Sequence, residues 1–116
     1  MYYVNVSKFA SFIHQVQRYT VHITGLVQGV GFRPFVYRIA LQYGLKGTVE
    51  NRNDGVWINI LAGRDEVDDF LKTIREKTPA AAEIRDIEIT ETGEMVRYPD
   101  FRILKSRDVS EDITLV

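Results

Sequence analysis

Two side chains with the chemistry to handle an anion, Arg33 and Asn51, stand 18 positions apart in this 116-residue sequence. Arg33 ends a glycine-spaced stretch, residues 27–33, that contains no acidic residue and leads into a predicted helix. Backbone N–H groups of such a loop converge on a bound anion, and a guanidinium grips the same anion with two parallel hydrogen bonds. Asn51 ends a predicted strand, where its amide can hold a water molecule beside that anion. The pattern predicts phosphate chemistry, with these residues binding the phosphate: Gln28, Gly29, Val30, Gly31, Phe32 and Arg33.

Both features also have a purely structural interpretation. Glycines between a strand and a helix often serve only a tight turn, and an asparagine at a strand end often caps the turn that follows, here Asn53-Asp54-Gly55. At the loop the anion site is favoured, because a cation at the positive end of a helix is repelled unless an anion lies between them. For Asn51 the residues alone leave both interpretations open.

Composition excludes several other kinds of chemistry. The chain has no cysteine, which rules out disulfides, thiolate metal sites and cysteine nucleophiles, and it has only two histidines. Its net charge of −1, from 15 basic and 16 acidic residues, gives no strong attraction to nucleic acid. No apolar run approaches the roughly 20 residues of a membrane span, and the first residues lack a signal-peptide pattern. We therefore expect a cytoplasmic protein with no nucleic-acid or membrane partner.

Hydrophobic periodicity predicts the elements that position the site. Alternation predicts strands at 20–24, 46–51, 56–61 and 84–89, with a short fifth strand at 101–104 near the edge of the sheet. Helical spacing predicts one helix after the glycine loop, with Pro34 in its first turn and Arg33 extended before it, and a second helix that ends before Pro79. On the first and third strands, His22 and Trp57 fall on the face opposite the apolar stripe. The order predicts an α+β, ferredoxin-like split βαβ sandwich (βαββαβ), with a four-stranded antiparallel sheet and two helices on one face.

Two flanks lie outside the predicted domain, residues 19–106. Residues 1–18 form an N-terminal extension with helical spacing of Phe9, Phe12, Ile13 and Val16. We expect either a helix docked on the domain or sequence that precedes the native start. Residues 107–116 predict a linker toward downstream domains.

The residues around Arg33 and Asn51 resemble the signature of the acylphosphatase family. The match lies in residues 25–33 and 43–51 and extends over most of residues 19–105. The resemblance implies hydrolysis of carboxyl-phosphate anhydrides with no metal or cofactor. It also implies that Arg33 binds the phosphoryl group and that Asn51 positions the attacking water.

Pro34 and Phe35, directly after the arginine, are similar to the N-terminal domain of the HypF family of hydrogenase-maturation carbamoyltransferases. This similarity implies cleavage of carbamoyl phosphate to carbamate and phosphate, further domains downstream, and a hydrogenase-maturation protein as partner. The extension at residues 1–17 departs from that family, which usually begins near the first strand. Two alternatives stay open: a stand-alone acylphosphatase of broad substrate range, and a non-catalytic domain that docks a phosphorylated or carboxylated partner.

Overall fold

Five strands and two helices follow one another in a computed structural model that describes residues 16–93 and 96–105. In chain order they are β1 (Val16–Leu26), α1 (Phe32–Gln42), β2 (Lys46–Arg52), β3 (Gly55–Gly63), α2 (Arg64–Glu76), β4 (Glu83–Thr92) and β5 (Phe101–Ile103). The predicted β-α-β-β-α-β order of a ferredoxin-like domain is confirmed. In this part of the chain no helix combines the length and the apolar character that crossing a membrane requires.

The strands form one mixed sheet in the order β4-β1-β3-β2-β5. Strand β1 pairs antiparallel with β3 and β4, β2 pairs antiparallel with β3, and β5 pairs parallel with β2. The prediction of a four-stranded antiparallel sheet is therefore wrong. After β4 has taken one edge of the sheet, the chain crosses to the opposite edge, where Phe101 is drawn into the core at 3% exposure. Strand β5 consequently runs beside β2 in the same direction.

Both helices pack on one face of the sheet. The strand residues that point to this face and the apolar residues of the helices form one buried cluster. The helices contribute Phe32, Phe35, Val36, Ile39 and Ala40 from α1, and Val67, Phe70, Leu71 and Ile74 from α2. The other face of the sheet carries His22 and Trp57, as predicted, and their rings stack across β1 and β3.

Arg33 is not extended, contrary to the prediction from the proline that follows it. Helix α1 already begins at Phe32, whose side chain is 1% exposed in the core, and Gly31 serves as its N-cap. Burial of Phe32 thus fixes the start of the helix and overrides the local preference that Pro34 imposes on its neighbour.

The N-terminal boundary of the domain also differs from the prediction. Strand β1 begins at Val16, so residues 16–18, which we had counted in the extension, belong to the sheet. The rest of the predicted extension and the predicted linker at residues 107–116 lie outside the described residues.

Candidate active site

The loop between β1 and α1, residues 27–31, is fixed at both ends by the core. Val27 and Phe32 are each 1% exposed. Between them, Gly29 and Gly31 adopt φ values of 74° and 76°, in the left-handed region that glycine enters without steric cost. The loop therefore turns sharply while its anchors hold it against the sheet.

This loop delivers free backbone donors to the start of α1. The first hydrogen bond within the helix runs from the N–H of Phe35 to the carbonyl of Gly31, at 3.2 Å. The N–H groups of Phe32 and Arg33 precede that bond and have no partner within the helix. Pro34 has no N–H, and the first turn contains no acidic residue. The positive end of the helix dipole is thus left open to an external anion.

The Arg33 side chain extends to the residue that follows β5, at the edge of the sheet. Its Nη1 donates a hydrogen bond to the carbonyl oxygen of Leu104 at 3.0 Å, and the N–H of Leu104 donates to the carbonyl of Val49 at 2.8 Å. These two bonds connect the guanidinium to β2 two residues before Asn51. In the part of the chain that the structure describes, Arg33 pairs with no carboxylate. Four of its five N–H donors are left for an anion.

Asn51 lies in β2 opposite Val56 of β3, on the side of the sheet that the helices cover. The Oδ1 atom of Asn51 is buried, and among the described residues it has no hydrogen-bond partner. An acceptor buried in this way costs about 1–3 kcal/mol. A turn-capping role would give this oxygen a backbone partner, so the structure does not support the purely structural interpretation of Asn51.

Gln28 joins the glycine loop to the hairpin formed by β2 and β3. Its side-chain Nε2 donates hydrogen bonds to the carbonyl oxygens of Arg52 and Gly55, the latter at 3.1 Å. Arg52 follows Asn51 directly, so the loop and the asparagine are tied together through this one side chain. The sequence analysis predicted Gln28 only as part of the phosphate loop. Its side chain is the single polar one in residues 27–32, and this could have indicated the contact.

The carbonyl of Leu104 is a further contributor that sequence reasoning missed. Leu104 lies 71 positions after Arg33. Every residue has a backbone carbonyl, so the residue type does not indicate which one accepts a hydrogen bond. No signal in the sequence could have identified it.

Behind Asn51, on the open face of the sheet, aromatic and charged side chains hold the hairpin together. The ring of His22 stacks on Trp57 with centroids 4.1 Å apart, and the guanidinium carbon of Arg52 lies 4.8 Å from the indole centroid. Arg52 also pairs with the buried Glu50 at 2.6 Å. The indole N–H donates to Asp54 at 2.7 Å and, with His22 and Arg52 nearby, lowers the pKa of that carboxyl. These contacts connect the segment that carries Asn51 to β1 and to the turn of the hairpin.

Residues suited to other chemistry are not gathered in the described ranges, 16–93 and 96–105. There, no three histidine, cysteine or acidic side chains come together in a way that could hold a metal ion. A cavity of about 430 Å³ lies at the opposite end of β1 from the glycine loop, where it is lined in part by Val16, Tyr19 and Gly63. The candidate site is therefore the glycine loop with Arg33 and Asn51.

A ferredoxin-like domain with a glycine loop between its first strand and first helix defines the class of this protein. The chain belongs to the acylphosphatase family, a family of hydrolases, whose sequence profile matches residues 19–103. It is 43% identical over 86 residues to the acylphosphatase of Bacillus pumilus (strain SAFR-032), a match that covers 73% of this chain and 94% of that protein.

HypF proteins are also similar to this chain. It is 37% identical over 92 residues to the probable carbamoyltransferase HypF of Methanocaldococcus jannaschii, covering 79% of this chain. A solved structure of full-length HypF, in the phosphate- and nucleotide-bound form, superposes with a TM-score of 0.76 at 39% identity over 82% of this chain. In both comparisons the chain spans only 12% of the length of the HypF protein.

Proposed function

We propose that this domain hydrolyses an acyl phosphate, with Arg33 and the loop from Gln28 to Phe32 binding the phosphoryl group and Asn51 orienting the attacking water. The observation that carries the proposal is the buried Oδ1 of Asn51, which has no partner among the described residues and lies in a strand tied to the glycine loop. A buried oxygen that is left without a partner in this part of the chain is suited to accept a hydrogen bond from the attacking water.

The proposed reaction needs positioning and charge stabilisation more than covalent help. Water held by Asn51 attacks phosphorus, the bond between phosphorus and the acyl oxygen breaks, and the carboxylate or carbamate leaves with the electron pair. The free N–H groups of Phe32 and Arg33, together with the guanidinium, stabilise charge on the equatorial phosphoryl oxygens. Asn51 has no useful basicity, so the proton of the water passes to the phosphate product. An acyl phosphate is activated enough for a site without a strong general base.

The contact between Arg33 and Leu104 supports this role for the guanidinium. Leu104 accepts one hydrogen bond at 3.0 Å, which fixes the orientation of the planar group, while the remaining donors stay free. A neutral carbonyl leaves the positive charge intact, whereas a carboxylate partner would compete with the phosphate. The site thus keeps a pre-oriented cation for an anionic substrate.

Within this class we propose carbamoyl phosphate as the substrate, cleaved to carbamate and phosphate in a HypF-type carbamoyltransferase that takes part in hydrogenase maturation. The similarity to HypF proteins and the pair Pro34-Phe35 support this choice. By the same resemblance, downstream domains and a hydrogenase-maturation protein would be the partners. The alternative, a stand-alone acylphosphatase of broad range, is favoured by the match to 94% of the Bacillus pumilus acylphosphatase.

Phosphate release from carbamoyl phosphate, acetyl phosphate and a phosphate monoester tests the proposal. The Arg33→Ala variant removes the guanidinium, and we expect its turnover on acyl phosphates to fall by about 100- to 1,000-fold or more. Arg38→Ala, which removes an exposed arginine from the same helix, is the matched control and should retain the wild-type rate.

Each outcome of this assay separates the candidates. Hydrolysis of the acyl phosphates but not of the monoester, lost in Arg33→Ala alone, would support the enzyme. A strong preference for carbamoyl over acetyl phosphate would favour the HypF-type function over the broad-range acylphosphatase. A folded domain that binds phosphate without hydrolysing any of the three would contradict catalysis by this chain and favour the docking domain.

A further inference from the structure

The side chain of Gln28 is the one polar group in the glycine loop that the catalytic proposal does not use. From Val27 to Phe32, every other side chain is apolar or absent. The Gln28 amide has two N–H donors, and its nitrogen donates to two carbonyl oxygens, those of Arg52 and Gly55. Both donors are therefore spent on the hairpin, which makes the side chain a connection between two elements.

The two carbonyls that receive these bonds belong to the residues that close the hairpin. Arg52 and Gly55 face each other in the register of β2 and β3, with the turn residues Asn53 and Asp54 between them. Gln28 thus bonds to the pair of residues that closes the hairpin turn, and this pair begins immediately after Asn51. A small movement of this closing pair would move the Asn51 amide relative to the loop.

The loop contains two glycines whose backbone is not restrained by a side chain, so it needs a hydrogen bond to a neighbouring element to hold its position. Gly29 and Gly31, with φ values of 74° and 76°, have no side chains to restrain them, and a Cβ at either position would meet nothing within 4 Å. The core holds the loop at Val27 and Phe32, and the half-buried Val30 packs against it between them. Gln28 is the side chain that connects the loop by hydrogen bonds to the strand carrying Asn51.

We infer that Gln28 is a positioning residue, which sets the distance between the bound phosphoryl group and the water on Asn51. This inference rests on the proposed function. Attack on phosphorus is sensitive to alignment, since misplacement by about 1 Å can cost on the order of 100-fold in rate. Gln28 therefore acts on turnover through Asn51, while the donors that bind phosphate belong to other groups.

Substitution of Gln28 by methionine distinguishes the effect of its hydrogen bonds from the effect of its size. Gln28→Met keeps the length of the side chain but removes both donors, and we expect kcat for acyl-phosphate hydrolysis to fall by about 10- to 100-fold. The inhibition constant for inorganic phosphate should change by less than about 3-fold, because the loop N–H groups and Arg33 remain. Gln42→Met, at an exposed position in α1, is the matched control and should have wild-type kinetics.

A double-variant comparison tests whether Gln28 acts through Asn51. If it does, Gln28→Met should lower kcat much less in an Asn51→Ala background than in the wild type, because residues that act as a unit are not additive. Equal losses in the two backgrounds, or a Gln28→Met variant with unchanged kcat, would overturn the inference. So would a loss of phosphate binding as large as the loss of turnover, which would make Gln28 a binding residue.

Hydrogen exchange distinguishes failure of this inference from failure of the proposed function. In Gln28→Met the backbone N–H groups of residues 29–31 and 53–55 should exchange faster than in the wild type, whether or not the chain hydrolyses acyl phosphates. An inactive wild type with this change would refute the proposed function but keep the connection between loop and hairpin. Unchanged exchange at both segments would refute the connection itself.

Discussion

A guanidinium and an amide can share one reaction because each supplies what the other lacks. In the proposed reaction Arg33 brings charge and several donors to the phosphoryl oxygens but cannot accept a hydrogen bond from water. Asn51 has a buried acceptor oxygen without a partner among the described residues, but no charge. The two roles predict different kinetic consequences when the side chains are removed one at a time.

Replacing Asn51 by alanine should lower turnover and leave phosphate binding nearly intact. The water would lose its hydrogen-bond partner, and misalignment of this kind costs about 100-fold in rate. Steady-state kinetics with phosphate as a competitive inhibitor give both quantities in one experiment. Asn53→Ala, at an exposed position in the adjoining turn, controls for disturbance of the hairpin. Collapse of phosphate affinity in Asn51→Ala would assign the asparagine to binding instead.

Among the elements, the parts predicted well are those with a strong local pattern. Helix α2 follows the i, i+3, i+4, i+7 spacing of Val67, Phe70, Leu71 and Ile74, and all four residues are buried. The conformation of Arg33 was predicted wrongly, because the local preference set by Pro34 does not include the tertiary contacts that bury Phe32. The positions of Arg33 directly after the glycine loop and of Asn51 near a strand end could be predicted, whereas the Leu104 carbonyl that accepts a hydrogen bond from Arg33 could not.

Gly25 is the glycine on which the geometry of β1 before the loop depends. It lies at an irregularity in the pairing of β1 with β4, with φ of 132°, and a Cβ there would lie 2.1 Å from the carbonyl oxygen of Glu83. Gly25→Ala should lower the free energy of unfolding by about 1–3 kcal/mol from backbone strain alone, with the clash against β4 adding to it.

Denaturant unfolding measures this loss, and Gly93→Ala provides the control. A Cβ at Gly93 would meet nothing within 4 Å, so its substitution should leave stability nearly unchanged. Equal stabilities of the two variants would show that β4 yields to the added methyl group and that the irregularity does not require glycine.

At the scale of the whole molecule, the fifth strand brings together parts of the candidate active site that lie far apart in the sequence. Strand β5 is only three residues long and has little local signal, and its parallel pairing with β2 depends on the chain crossing the sheet after β4. For this reason the sequence predicted a short strand near the edge of the sheet but not its parallel pairing with β2. That place matters, because Leu104 directly follows β5 and accepts the hydrogen bond from Arg33.

Phe101 is the side chain that anchors β5 in the core, and we expect its removal to disturb the candidate active site as well as the stability of the fold. It is 3% exposed, and its ring centroid lies 6.3 Å from that of Tyr37 in α1. Phe101→Ala should lower the free energy of unfolding by about 3–5 kcal/mol through the cavity it leaves. It should also lower kcat of the folded protein, because Leu104 would no longer hold the Arg33 guanidinium in place.

Ile74→Ala separates these two effects, since it opens a cavity of comparable cost beneath α2, the helix that does not adjoin the glycine loop. Measured at a temperature where both variants are folded, Ile74→Ala should keep the wild-type kcat while Phe101→Ala loses it. If both variants turned over at the wild-type rate, the hydrogen bond from Arg33 to Leu104 would be irrelevant to catalysis. In that case the guanidinium would be oriented by the bound phosphate itself, and the fifth strand would serve stability alone.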